Sequence, residues 1–412
     1  MTILLTLFYL FFLFKNYKKA IAFFVVFYPW LAQFTFPITG VTFIGFCAVV
    51  TFIFFVAKEK ISLKLVSKYP IKYASFLILL SFVVSNYFSK ERHDAYMIIL
   101  IACSLLIVFC FWYLVVREPE KIIQYVLKYA LTLSVIVAFY SLFEAVSQTN
   151  PYIQFVNTLD LYSNNRFIDE IRYGVKRTQS IFSMHTTSGC VALLLFSIFS
   201  YLKFYCGYVC CKNWDKTIIA LLFVAVFLCG ARSAIIASVF VCFMFLSKRI
   251  LKPKFMIPLF ILSILGLYFL LDYFSAIYNS IVQSNDNGGS SADMRVAQYE
   301  IAYYYLQKNF LFGNGLAFTW NVALAKFKNL YGAESIWIPV MIDQGVFGCI
   351  AYVILLFENI CYVIRNNRKR LVFFVLGLWC FNTLSSIPCV EVTYFFLYSL
   401  IIIESEKIVR NM

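Results

Sequence analysis

Apolar residues run through this chain in blocks about as long as a lipid bilayer is thick, with polar residues gathered between them. The blocks fall near 2–14, 20–36, 40–57, 73–88, 97–116, 122–146, 188–207, 217–230, 233–247, 255–275, 336–364, 371–387 and 390–404. Since a helix needs roughly 20 apolar residues to cross a bilayer, the pattern predicts about twelve or thirteen transmembrane helices, the first of them short. Two connections are far longer than the rest, about 147–187 and 276–335. The expected fold is an all-α polytopic integral membrane protein, with short helices inside those two loops. Neither a repeat nor a linker interrupts the pattern, so residues 1–412 read as a single membrane domain.

Composition agrees: the chain is 62% hydrophobic, 20% aromatic and 13% charged, a balance that a soluble core does not produce. The net charge of +15 changes the picture only through its placement. Lys15, Lys18 and Lys19, then Lys58, Lys60, Lys64, Lys68 and Lys72, then Lys248, Arg249, Lys252 and Lys254, then Arg365, Arg368, Lys369 and Arg370 fall on alternate connections. By the positive-inside rule these face the cytoplasm, and both long loops then face outward, away from ATP and nucleotide sugars. Basic residues used as topology signals do not form a groove for a phosphate backbone, so nucleic acid is not an expected partner. The thirteen cysteines have no metal-like spacing and read as small residues of the apolar runs. The opening run is followed by lysines, not by a small-residue cleavage site, so it reads as a span and not as a cleavable signal.

Candidate chemistry is confined to the polar segments. The first long loop carries four basic residues within 166–177, among them Arg172, Lys176 and Arg177, and then His185 at the mouth of the next apolar run. Positive charge on the outer side runs against the topology bias and points to an anionic ligand; a solvated loop cluster is the plainer reading of any one of them. His185 suits a hydrogen-bonding role at the membrane boundary as well as a catalytic one. Arg232 stands in Gly230-Ala231-Arg232-Ser233-Ala234 between two short apolar runs, at the expected start of a helix. A charge there is costly unless it is paired or functional, and helix N-terminal amides add to its field. Pairing with a carboxylate such as Glu391 is the structural alternative.

In the second loop, Arg295, Gln298 and Tyr299 lie at i, i+3 and i+4 and so share one helical face. That face could hold a pyrophosphate or simply be the wet side of a surface helix. Gly313-Asn314-Gly315 lacks the lysine and hydroxyl of a phosphate loop and reads as a turn. Glu334 precedes the next apolar run, as a helix-terminal carboxylate or as a general base.

Taken in order, these segments resemble the O-antigen ligase and polymerase superfamily of bacterial envelope glycan assembly. The resemblance runs through Arg177-Thr178-Gln179-Ser180-Ile181-Phe182 with His185, Gly230-Ala231-Arg232-Ser233-Ala234, Asp293-Met294-Arg295, Asn309 to Gly315, and Glu334-Ser335 with Asp343-Gln344-Gly345-Val346-Phe347-Gly348. It implies transfer of a glycan from an undecaprenyl pyrophosphate carrier at the periplasmic face of the bacterial inner membrane, with no cofactor and no metal. Arg232 and Arg295 would hold the donor pyrophosphate, with Arg172, Lys176, Arg177, Gln298 and Tyr299 around the substrate and Glu334 and His185 as catalytic candidates. Partners would be the lipid-linked glycan, the bilayer, and a chain-length regulator and flippase of the same pathway. Ligases of the family carry a histidine where this chain has Glu334, which favours an O-antigen or capsular repeat-unit polymerase. The ligase is the nearest alternative. A flippase is the other, although its charges would be expected deep inside many helices and not gathered in outer loops.

Overall fold

The computed structural model describes residues 2–34, 43–89, 96–158, 171–172, 175–207, 214–245, 292–327, 330, 333–385 and 393–411. The predicted run 255–275, the basic residues 248–254, the Asn285–Ser291 turn and Glu391 lie outside them. Fourteen helices among the described residues carry the architecture. They are α1 (Thr2–Leu31), α2 (Phe43–Lys58), α3 (Leu63–Val66), α4 (Lys72–Phe88), α5 (Tyr96–Arg117), α6 (Pro119–Ser147) and α7 (Pro151–Thr158), then α8 (His185–Cys206), α9 (Asp215–Leu228), α10 (Arg232–Phe243), α11 (Ala292–Lys308), α12 (Trp337–Arg365), α13 (Leu371–Leu384) and α14 (Thr393–Asn411). A two-residue hairpin pairs Ile171 with Lys176 and Arg172 with Val175. The architecture is all-α, and the helices coincide with the apolar blocks within a few residues. By length and composition α6, α8 and α12 can each cross a membrane, and five shorter apolar helices accompany them among the described residues.

The first two apolar blocks make up α1, which folds back on itself. Asn16 leaves helical geometry at φ −159°, ψ 88°, and its side chain accepts the amide of Lys19 at 3.1 Å, capping the second half. Tyr9 then meets Phe24 and Phe12 meets Phe23, with ring centroids 5.7 and 5.9 Å apart. In a straight helix residues 9 and 24 would stand about 22 Å apart, so the halves are antiparallel.

Charge separates the two ends of the bundle. At one end Lys18 pairs with Glu118, Arg117 and Tyr17 with Glu59, Lys203 with Asp215, and Arg368 and Arg410 with the buried Glu406. Glu358 of α12 accepts the amide of Ala74 at the start of α4, which joins these groups on one side. At the opposite end lie the described parts of the two long loops. α8 is buried along nearly its whole length, as expected of a helix apolar all round, and forms the centre of the bundle.

Candidate functional site

The first loop is held down by one carboxylate. Glu144, in the last turn of α6, is fully buried and accepts the amides of Gln179 and Ser180 at 2.9 and 2.8 Å; the ammonium of Lys176 lies 3.7 Å away. Asn150 works beside it. Its carbonyl oxygen accepts the amide of Ile153, capping α7 with Pro151 at the first helical position, while its amide donates to Ser180 O at 2.9 Å. The segment 176–180 is thus stretched across the bundle, and Thr178 N reaches Leu228 O at 3.1 Å in the turn before α10. Alternation along an extended strand sends neighbouring side chains opposite ways. Lys176 goes inward to Glu144; Arg177 goes to His185, with Nη1 donating to Nε2 at 3.0 Å. A guanidinium cannot accept, so Nε2 is the unprotonated nitrogen of that ring. The side chain of Arg172 lies outside the described residues.

Arg232 is the first residue of α10, as the sequence predicts, following Gly230 at φ 61°. The turn packs against the start of α8: a Cβ on Gly189, one turn after His185, would sit 2.5 Å from Cys229 Sγ and 3.0 Å from Ala234 Cβ. Close packing between small residues therefore brings Arg177, His185 and Arg232 to one level of the bundle.

The second loop has a small apolar core of its own, with Ala302, Tyr305, Ala323, Leu330, Ala333, Ile338 and Ile342 buried together. Its anchor is a crossing of two backbones. α12 breaks at Gly345 (φ 65°, ψ −158°), and Gly313-Asn314-Gly315 passes through the break. Asn314 N donates to Ile342 O at 2.9 Å, Gly315 N to Asp343 O at 3.1 Å, and Val346 and Phe347 N to Phe310 and Leu311 O at 3.0 Å each. Thr319 supplies its amide and hydroxyl to Asp343 Oδ1 at 2.7 and 2.6 Å. Two serines of α4 and Ser89 just past its end, one turn apart, line the other side: Ser81 donates to Gln344 Oε1, Ser85 to Asp343 O and Ser89 to Asn314 O. The glycine pair is thus an assembly joint, and the acidic-x-Gly-x-x-Gly pattern is its other half.

On that anchor α11 presents the predicted face to one short segment. Arg295 donates from Nε and Nη2 to Glu334 Oε2 at 3.0 and 2.7 Å; Gln298 Oε1 accepts the amide of Glu334 at 3.2 Å; and Tyr299 OH donates to Ser335 Oγ at 2.9 Å. Gln298 is fully buried, whereas Arg295 and Glu334 keep 30% and 28% of their side chains exposed, so a ligand can reach both. Arg295 Nη2 also donates to Leu384 O at 3.2 Å, and Ile336 N to Asn382 O at 3.0 Å. These are carbonyls of the last turn of α13, which has no partners for them within the helix and carries the negative end of its dipole. Sequence reasoning set Arg295 and Glu334 apart as anion holder and base; the structure joins them directly.

The same helix end brings in Arg232. α10 and α13 run antiparallel: Phe243 packs near Phe373, ring centroids 6.0 Å apart, and a Cβ on Gly377 would lie 3.0 Å from Ala237 O. From that contact Leu384 is about 10 Å further along α13 and Arg232 about 7.5 Å back along α10, in the same direction. The first residue of α10 therefore lies at about the level of the α13 C-terminus that Arg295 contacts.

Residues 217–353 match the family model described as O-Antigen ligase. The match takes in Arg232, Arg295, Glu334 and the Gly313–Gly345 crossing, and supports the O-antigen ligase and polymerase superfamily read from the motifs. Arg177, Lys176 and His185 precede it. With the apolar helices, it supports a membrane protein that handles glycan in the O-antigen pathway. No curated protein matches the chain significantly.

Proposed function

We propose that the chain is a multi-pass O-antigen-type polymerase of the bacterial inner membrane, with the loop-bearing end of the bundle on the periplasmic side. It moves a growing glycan from undecaprenyl pyrophosphate to the terminal sugar of a fresh lipid-linked repeat unit. The observation that carries this reading is the pairing of Arg295 with Glu334 at the end of α13, with Arg232 at the head of the adjacent α10.

In the reaction the anomeric carbon exchanges its bond to the donor phosphate oxygen for one to the acceptor hydroxyl oxygen, and the hydroxyl loses a proton. The departing lipid pyrophosphate gathers negative charge. Two guanidiniums fixed by helix ends meet that charge with little reorganisation, and Arg295 keeps its Nη1 edge for the anion while Nε and Nη2 hold Glu334. Glu334, oriented by Arg295, is the carboxylate that takes the acceptor proton. Arg177 with His185 flanks the acceptor side. Lys176, buried against Glu144, shapes the loop and does not touch the donor.

The alternative is a ligase; Glu334 in place of the ligase histidine favours the polymerase. Deletion of the gene decides between them. A polymerase mutant leaves lipid A core capped with a single repeat unit, whereas bare core with polymer stranded on the lipid carrier would make the chain a ligase. Glu334→Gln, which keeps shape but cannot take a proton at neutral pH, is expected to reproduce the deletion.

A further inference from the structure

At the opposite, lysine-rich end of the bundle, α3 and the end of α5 form an open cavity of 310 Å³ lined by Lys60, Ser62, Lys64, Lys68, Tyr113 and Arg117. We infer that this cavity binds the phosphate-bearing headgroup of an anionic phospholipid, so that the protein carries a lipid site remote from its proposed glycan site.

The cavity is built, not incidental. The Tyr113 side chain is 1% exposed, and its hydroxyl donates to Lys60 O at 2.7 Å and accepts from Ser62 N at 3.1 Å, fixing the loop that presents the lysines. Lys60, Lys64 and Lys68 all line this one depression, where their like charges repel. Among the described residues no carboxylate pairs with any of these three. Glu59, next to Lys60 in the chain, has a side chain only 8% exposed and is already engaged by Arg117 and Tyr17, with Lys18 at 3.9 Å. An added anion relieves the repulsion.

The neighbours of the lysines select a lipid over a free anion. Leu63 is 83% exposed and Ile61 38%, beside Lys60 and Lys64 and level with the ends of two apolar helices, α2 at Lys58 and α5 at Arg117. Apolar side chains in that position enter the acyl boundary while the lysines stay at headgroup depth. Basic pockets between helices at a membrane surface hold anionic headgroups by this division of labour.

The test uses the full-length protein purified in detergent, with native mass spectrometry to count retained lipid after adding phosphatidylglycerol or phosphatidylethanolamine. Phosphatidylglycerol is expected to be retained preferentially. Lys60→Gln with Lys64→Gln and Lys68→Gln should lower its retention by about a hundredfold, the scale expected when three cations leave an anionic surface contact. Leu63→Ser, with the lysines intact, should also weaken it. Equal retention of the two lipids, or no change in the triple variant, would overturn the inference. Complete displacement by millimolar inorganic phosphate, with Leu63→Ser silent, would assign the cavity to free phosphate and overturn it equally. The readout is independent of glycan synthesis, so loss of the polymerase reading leaves it standing.

Discussion

At the scale of single residues, each charge in the loop-bearing end has a distinct duty, and substitution should separate them. Under the proposed function Arg295→Ala removes a ligand of the donor pyrophosphate and also its bonds to Glu334 and the α13 end; long-chain glycan should disappear while the protein stays in the membrane. Arg232→Ala should act alike. Lysine at either position should rescue poorly, because an ammonium lacks the planar fork that grips two oxygens at once. Full-length surface polysaccharide from either alanine variant would end the pyrophosphate assignment. Glu144 differs in kind. Its buried carboxylate accepts two amides and faces the Lys176 ammonium at 3.7 Å, so Glu144→Ala orphans both amides and removes the charge opposite Lys176, at a cost of about 3–5 kcal/mol. A thermal-shift measurement on the purified protein should show this as a clear drop in Tm, and an unchanged Tm would mean the loop is held by other contacts.

Among the elements, the crossing of Gly313–Gly315 with broken α12 sets the height of Glu334 above the bundle. A Cβ on Gly313 would lie 2.4 Å from the backbone of Asp343, and one on Gly345 would lie 2.6 Å from Gly313 N. Neither contact can relax by moving a side chain, and both glycines also have positive φ. Gly313→Ala and Gly345→Ala should therefore reduce the yield of folded protein, measured by size-exclusion chromatography in detergent. Gly207→Ala provides the control: φ is 67° there but a Cβ would meet nothing within 4 Å, so only the backbone strain of about 1–3 kcal/mol applies. If all three behave alike, close approach at the crossing is not what requires glycine there. Asn16, which caps the second half of α1, should cost only about 1 kcal/mol when changed to Ala, since one hydrogen bond and no packing is lost.

For the whole molecule, the separation of lysine-rich turns from the two long loops predicts opposite compartments. Reporters fused after Asn367 and after Thr149 should read cytoplasm and periplasm respectively. The same compartment for both would dismantle the orientation on which the periplasmic chemistry rests.

Much of this was legible in the amino-acid sequence because the solvent is lipid. Inside a bilayer a helix must satisfy its own backbone, so the length and position of each apolar block determine an element without reference to its neighbours. Spacing alone likewise placed Arg295, Gln298 and Tyr299 on one face, and Gly230-Ala231-Arg232 marked the start of α10. What tertiary structure decided is which groups meet. Adjacent Lys176 and Arg177 read as equivalents along the chain, yet one is locked to Glu144 and the other reaches His185, because only the path of the loop over α6 and α8 separates their sides. The lone Gly313-Asn314-Gly315 read as a turn, and its use as a joint through α12 depends on a partner about thirty residues away. Arg295 and Glu334 lie on separate elements, and their pairing arises from the end of α13, whose unsatisfied carbonyls accept from both Arg295 and Ile336. Local periodicity is a property of the covalent chain; the partner of a charge is chosen by long-range packing, which no stretch of sequence contains by itself.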